Sequence, residues 1–293
     1  MIRCPKCSNL YASNELSCTR CGYFPEKIDG LSAWAPEMAP SGSGFKPEYF
    51  AQLAELEASN FWFKARNELI VWALKKYFPD LQTFMEVGCG NGFVLSGVAT
   101  SYPSARLVGS ELFSEGLKFA AQRLPKATFM QMDGRNIPFH DEFDVVGAFD
   151  VIEHIPEDEA VLGAIWQAVV PGGGVIFSVP QHPWLWSITD EVACHVRRYT
   201  AKELHEKMGM AGFEILRSTS FMALLLPAMY ASRIRNNRKQ ITNQFEHFDE
   251  LQIAQPLNRA LEAILRLERL FIRMGVNFPI GGSRMVIARK VKK

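Results

Sequence analysis

Thr83-Phe-Met-Glu-Val-Gly-Cys-Gly-Asn-Gly-Phe-Val-Leu95 is the stretch on which the reading of this chain turns. Phe84 to Val87 is a short apolar run that stops at Gly88, Gly90 and Gly92, and an apolar helical pattern (Phe93, Val94, Leu95, Val98) follows at once. A strand that breaks into glycines and then a helix leaves no side chains where a ligand must come close. It also turns the free N–H groups of the helix start into the gap. Glycine loops of this kind usually hold a nucleotide. The spacing here is Glu-x-Gly-x-Gly-x-Gly, counted from Glu86, whereas dinucleotide sites favour G-x-G-x-x-G.

Outward from the loop the chain alternates strand and helix. Arg106 to Glu111 reads as a strand ending in an acid, and Ser114 to Leu124 as a helix with Ser114 as its cap. Ala127 to Asp133 and Phe143 to Asp150 are two more strands with terminal acids. Pro156 to Val170 is a helix, and Pro171-Gly-Gly-Gly174 turns into a strand over Val175 to Val179. This alternation predicts an α/β fold: a Rossmann-like, doubly wound, mostly parallel sheet covered on both faces. Ligands in such sheets sit at the carboxyl ends of the strands, where Glu111, Asp133 and Asp150 all fall.

With those acids in place, the segment from Phe84 to Val179 resembles the class I S-adenosylmethionine (SAM)-dependent methyltransferases, and the Glu86–Gly92 loop looks like their motif I. The resemblance implies SAM as cofactor. It implies that Glu86, Gly88, Gly90 and Gly92 cradle it, and that Glu111 accepts from both ribose hydroxyls. It further implies that Asp133, followed by Gly134, takes the adenine amino group. Asp150-Val-Ile-Glu-His-Ile155 would line the methionine end and the reaction centre. The aromatic segment Asn60-Phe-Trp-Phe-Lys-Ala-Arg66 resembles one that precedes motif I in a subset of these enzymes and helps close the site. From the residues alone, the three rings serve equally well as anchors of helix to sheet.

Ahead of the loop, Cys4-Pro-Lys-Cys7 and Cys18-Thr-Arg-Cys21 are two C-x-x-C hooks that put four thiolates within reach of one tetrahedral ion. They predict a structural Zn2+ site in a small ribbon over residues 1–24. A linker over 25–46 and an N-terminal helical segment over 47–80 come before the methyltransferase domain at 81–293. The N-terminus carries no basic-then-apolar signal, and no apolar run reaches the roughly 18–20 residues of a spanning helix, so a cytoplasmic location is expected.

Past the last parallel strand, Trp184 and the segment His195-Val-Arg-Arg-Tyr199 precede a helix capped by Thr200. Segments at that rim normally carry substrate contacts, so Trp184, Arg197, Arg198 and Tyr199 are substrate candidates. The arginines serve equally as partners of acids on a helix. An oxygen acceptor must lose a proton, and histidine is the natural base. His195 is favoured over His154 as base or substrate contact, although either could merely bond a backbone carbonyl. The rim resembles that of bacterial methyltransferases associated with glycan or lipid-linked sugar pathways. A small-molecule or lipid-linked glycan acceptor methylated on oxygen is therefore expected. The strand-four segment lacks the Asn/Asp-Pro-Pro-Tyr of base-amino methylation, which places an RNA methyltransferase second and a SAM-binding module without turnover third.

Charge is uneven along the chain. Residues 233–293 hold 13 basic and 5 acidic residues, so the net +1 conceals +8 there and −7 over residues 1–232. An apolar, basic insertion over about 221–275, with Arg259, Arg266 and Arg273 at seven-residue steps, has the pattern of an interfacial helix, and equally of a helix packed on a domain. Peripheral membrane contact through this third is the partner expected, with nucleic acid less favoured.

Overall fold

The computed structural model describes residues 1–15, 17–39, 48–241 and 253–291. In chain order these form β1 (Ile2–Arg3), β2 (Leu10–Tyr11), β3 (Glu26–Ile28), β4 (Leu31–Ala33), α1 (Glu48–Glu57), α2 (Phe61–Tyr77), β5 (Thr83–Val87), α3 (Phe93–Ser101), β6 (Arg106–Glu111), α4 (Ser114–Arg123), β7 (Thr128–Gln131) and β8 (Phe143–Phe149). Then come α5 (Asp158–Ala168), β9 (Val169–Pro180), α6 (Ile188–Val192), α7 (Ala201–Met210), β10 (Phe213–Phe221), α8 (Leu226–Ile241), α9 (Gln255–Arg273) and β11 (Ser283–Lys290).

The main sheet runs β10-β11-β9-β8-β5-β6-β7-β4-β3. Its pairs from β4 through β9 are parallel, while β9–β11, β11–β10 and β3–β4 are antiparallel. The strands read as unbroken apolar runs because both faces are covered. Met85, Val146 and Val175 enter one core, and Phe84, Val145 and Ile176 the other. Strand order reverses at β5, which has β6 on one side and β8 on the other, and the crevice beyond the carboxyl ends at such a switch point is where ligands bind.

Three boundaries differ from the sequence expectation. Residues 25–46 are not simply a linker: β3 and β4 form a hairpin, and β4 joins the sheet beside β7 through Ser32–Met130 and Ala33–Gln131. Only the Pro-Ser-Gly end of that stretch lies outside the described residues. Ser114 is not the cap of α4, which starts from Phe113; Thr200 does cap α7, its hydroxyl accepting from the Glu203 N–H at 3.1 Å. The last strand, Met285-Val-Ile-Ala-Arg289, which the family resemblance implies is an antiparallel edge strand, lies inside the sheet between β9 and β10, so Met285 to Ala288 are buried on both sides.

The cysteine-bearing N-terminus is not a separate knob. Arg3 N–H donates to the Pro138 carbonyl at 2.7 Å, and His140 N–H to that of Met1 at 2.8 Å. Ile2, Cys4, Tyr11 and Cys18 share one core with Met132, Phe139 and Phe143. Few residues here could bury a core of their own, so the segment uses the domain's.

Candidate active site

At the end of β5, Gly88, Gly90 and Gly92 all have positive φ (68°, 49° and 71°). A side chain at Gly88 would place its Cβ 2.5 Å from Val151 Cγ2, so the loop lies directly on the segment that follows β8. Glu86 is buried beneath it, and its Oε2 has no hydrogen-bond partner. Burial pushes its carboxyl up to about 8, although Arg66 and the Leu95 N–H pull the other way. A buried carboxylate that lacks a partner is costly unless a ligand supplies one.

Glu111, at the end of β6, accepts from the Gly90 N–H at 3.1 Å and the Leu112 N–H at 2.8 Å. Those bonds aim its carboxylate across the loop mouth and oppose the rise in pKa that burial causes. Asp133 behaves differently. Arg135 Nε reaches both of its oxygens, at 3.1 and 3.0 Å, so the carboxylate expected to face an adenine amino group already has a fixed cation. Gly134, beside it, would press a Cβ against Val87 at 3.2 Å. Asp150 has φ +57° and ion-pairs with Arg66 of α2. Trp62 supports that guanidinium, its ring centroid 4.5 Å from Cζ.

The aromatic segment therefore divides its duties. Phe61 is buried with Leu225 and Leu265, anchoring α2 to the C-terminal helices, while Trp62 and Arg66 work over the site. Phe50 of α1 comes within 3.9 Å of a Cβ built at Gly90. The sequence assigns Arg66 no individual role beyond its place in the aromatic segment, and it does not connect α1 with the site. The Arg at the end of the aromatic run was the available signal for the first, and α1 offered none.

The rim residues require correction. Arg198, offered as a substrate clamp, is buried and donates to Asp190 at 2.6 Å and to the carbonyls of Gln181 and Gly282 at 2.9 Å each. Arg197 pairs with Asp158 at 2.7 Å and with the Pro156 carbonyl at 2.8 Å. Tyr199 is fully buried and donates its hydroxyl to Asp158 at 2.6 Å. The alternative reading holds: these residues pair with acids of α5 and α6, and they carry the rim rather than face the crevice. Trp184 is 57% exposed, stacks on His182 and lies edge-on to Tyr230, so it remains available at the surface.

The two histidines do come together, with ring centroids 4.8 Å apart. His195 Nδ1 lies 2.9 Å from Asp190 Oδ1. Burial and the proximity of His195 hold His154 down to about 4, so it is neutral at ordinary pH and a weak base. Beside them lies Glu153, wholly buried, with neither oxygen hydrogen-bonded. It stands in the segment expected to line the reaction centre, although only its neighbours had been assigned roles.

At the N-terminus, Cys4 Sγ and Cys21 Sγ are 3.6 Å apart, as are those of Cys7 and Cys18, and the four sulfurs lie within 4.8 Å of one another. Thiolates about 2.3 Å from a tetrahedral ion would stand at close to these separations. The geometry fits a closed four-sulfur site, and all four cysteines are free of disulfides.

A switch-point glycine loop, an acid at the end of the next strand and an unpartnered carboxylate beneath define a class I SAM-dependent methyltransferase fold. Residues 85–177 match the family model described as a methyltransferase domain. Among curated proteins, the chain is similar to the ubiquinone biosynthesis O-methyltransferase of Idiomarina loihiensis, 29% identical over 151 residues, covering 48% of this chain and 60% of that one. The chain spans between 41% and 62% of the lengths of the first such relatives. Among solved structures, Haemonchus contortus phosphoethanolamine N-methyltransferase 2 in complex with SAM has a TM-score of 0.50 at 19% identity, over 76% of this chain and 52% of that one. The [4+2]-cyclase SpnF gives 0.53 at 18%, over 79% and 83%. Similarity at that level speaks to fold alone.

Proposed function

We propose that the chain is a SAM-dependent methyltransferase that transfers the methyl group to oxygen on a small or lipid-linked acceptor. The observation that carries this is the buried, unpartnered Glu86 Oε2 beneath the Gly88–Gly92 loop, inside the matched segment. Glu86 would face a cationic part of the cofactor, the glycine loop would admit its backbone-hugging portion, and Glu111 has lone pairs left for ribose hydroxyls. SAM supplies a methyl on a sulfonium, and the protein's task is mainly alignment and exclusion of water. Arg66, held by Trp62 and Asp150, closes the crevice from the α2 side. The choice of oxygen rests on the ubiquinone O-methyltransferase relative and on the absence of Asn/Asp-Pro-Pro-Tyr after β8.

The test is transfer from methyl-labelled SAM to fractionated small-molecule, lipid and RNA pools. Label in a small-molecule or lipid fraction is expected. Label in RNA would replace this reading with the RNA one. SAM binding without any acceptor would favour a binding module.

Two attachments complete the reading. Zn2+ in the four-cysteine site would stabilise the N-terminal strap against Pro138–His140; a strong chelator should release one zinc per chain, and a zinc-free native protein would refute it. Helix α9 presents Leu257, Leu267, Leu270 and Met274 to solvent, each about half exposed, beside exposed Arg259, Arg266 and Arg273. An apolar face with an arginine rim fits an anionic phospholipid surface. No helix among the described residues is long and apolar enough to cross a membrane, so the contact would be peripheral. The side chains of Arg238 and Lys239, in the same basic third, lie outside the described residues. Co-sedimentation with phosphatidylglycerol vesicles, lost in Leu267→Glu, tests it; equal sedimentation of both chains would end it.

A further inference from the structure

We infer that Glu153, His154 and His195 form a second metal site, distinct from the four cysteines, for a divalent first-row transition ion beside the methyl-transfer crevice. One ligand atom from each lies within 4.8 Å of the others. Two elements meet to make the site. Glu153 and His154 follow β8, and His195 follows α6, tied across by the Val196 N–H donating to the Glu153 carbonyl at 2.8 Å.

The polar bonding around the three leaves one position unfilled. Asp190 Oδ1 sits 2.9 Å from His195 Nδ1, and Asp190 is kept ionised by Arg198 at 2.6 Å and Arg233 at 2.7 Å. A carboxylate there makes Nδ1 the protonated nitrogen and points the Nε2 lone pair inward. The atom it meets is Glu153 Oε1, 4.0 Å away, on a fully buried carboxylate with no hydrogen-bond donor at either oxygen. Glu153 Oε1 and His195 Nε2 thus stand 4.0 Å apart, close enough for one cation to bridge them. His154 supplies the third candidate ligand atom, within the same 4.8 Å. The Arg198–Asp190–His195 chain is the outer support that metal-bound histidines use to fix their tautomer. Two imidazoles and one carboxylate suit manganese, iron, cobalt, nickel or zinc rather than calcium or magnesium, and three ligands leave positions open.

The site's use in catalysis rests on the methyltransferase reading; its existence does not. An acceptor hydroxyl bound to the ion would lose its proton to solvent more readily. The oxygen lone pair would then form the new O–CH3 bond as the S–CH3 bond breaks with its electrons going to sulfur.

Mn2+ titration of the zinc-loaded full chain, followed by electron paramagnetic resonance, tests the site, because manganese does not displace zinc from thiolates. One Mn2+ per chain is expected. Binding should weaken by about a hundredfold in Glu153→Gln and in His195→Ala, two independent variants each checked by thermal melting. SAM binding, measured separately by calorimetry, should persist in both. No saturable Mn2+ binding by the parent chain, or equal affinity in either folded variant, overturns the site. Failure of the parent chain to bind SAM while it binds Mn2+ would refute the cofactor reading and leave the metal site standing.

Discussion

The glycine loop and the Arg197–Tyr199 rim both looked like ligand-binding stretches, and they solve opposite problems. Around the loop, polar atoms are left without partners: Glu86 Oε2 is buried and unbonded, and three successive alternate residues sit at positive φ to clear space. Along the rim the reverse holds. Arg198 makes three bonds, Tyr199 reaches Asp158, and Arg197 is paired at 2.7 Å. The lesson is that a conspicuous charged motif beside a site can be spent on building it. Binding capacity shows where hydrogen-bond demand is unmet, not where charge is dense.

The largest effect should come from refilling the empty region. Gly88→Val forces both a disfavoured φ and a Cβ within 2.5 Å of the Val151 side chain. SAM affinity, read by calorimetry, should fall by about a hundredfold or more. Unchanged affinity in a folded variant would break the assignment of the loop.

Next comes the saturated region. Arg198→Ala strands the buried Asp190 with fewer cations and should cost about 3–5 kcal/mol in urea unfolding. Arg197→Ala, at a half-open position, should cost under about 1 kcal/mol. Similar losses for the two would mean that the hub at Asp190 does not organise the rim.

A smaller effect sharpens the contrast through pH. In the ligand-free protein, Glu86 titrates at about 8, above its ordinary 4.5. Below pH 4.5 the group is protonated in both folded and unfolded chains, so it contributes no slope. Between about 4.5 and 8 the unfolded chain ionises while the folded one keeps its proton, and stability falls as pH rises; above 8 the slope ends. Glu86→Gln should remove that decline, worth roughly 3–4 kcal/mol between pH 5 and pH 8. An identical pH profile for the variant would show that Glu86 is not held in the environment described.

Although Pro171–Gly174, read as a turn, is part of β9, the local sequence alone determined β5 through β8 and the Val175–Val179 part of β9, because strand-length apolar runs and helical periods are short-range signals. The order of Glu86, Glu111, Asp133 and Asp150 at strand ends followed from them. The paired C-x-x-C hooks were legible for the same reason, since their spacing is itself the ligand geometry. Tertiary structure decided everything that depends on which distant groups meet. The hairpin at Glu26–Ala33 became sheet only because β7 offered an open edge. The last strand went inside rather than outside because β10 pairs with its far side. Arg198 became structural because Asp190, eight residues away, folds back against it, and Asp133 met Arg135 before any ligand could. Glu153, His154 and His195 converge from segments some forty residues apart, and no spacing rule brings them together. A side chain's chemistry is written in the sequence; its role is set by its partners, and the fold chooses those.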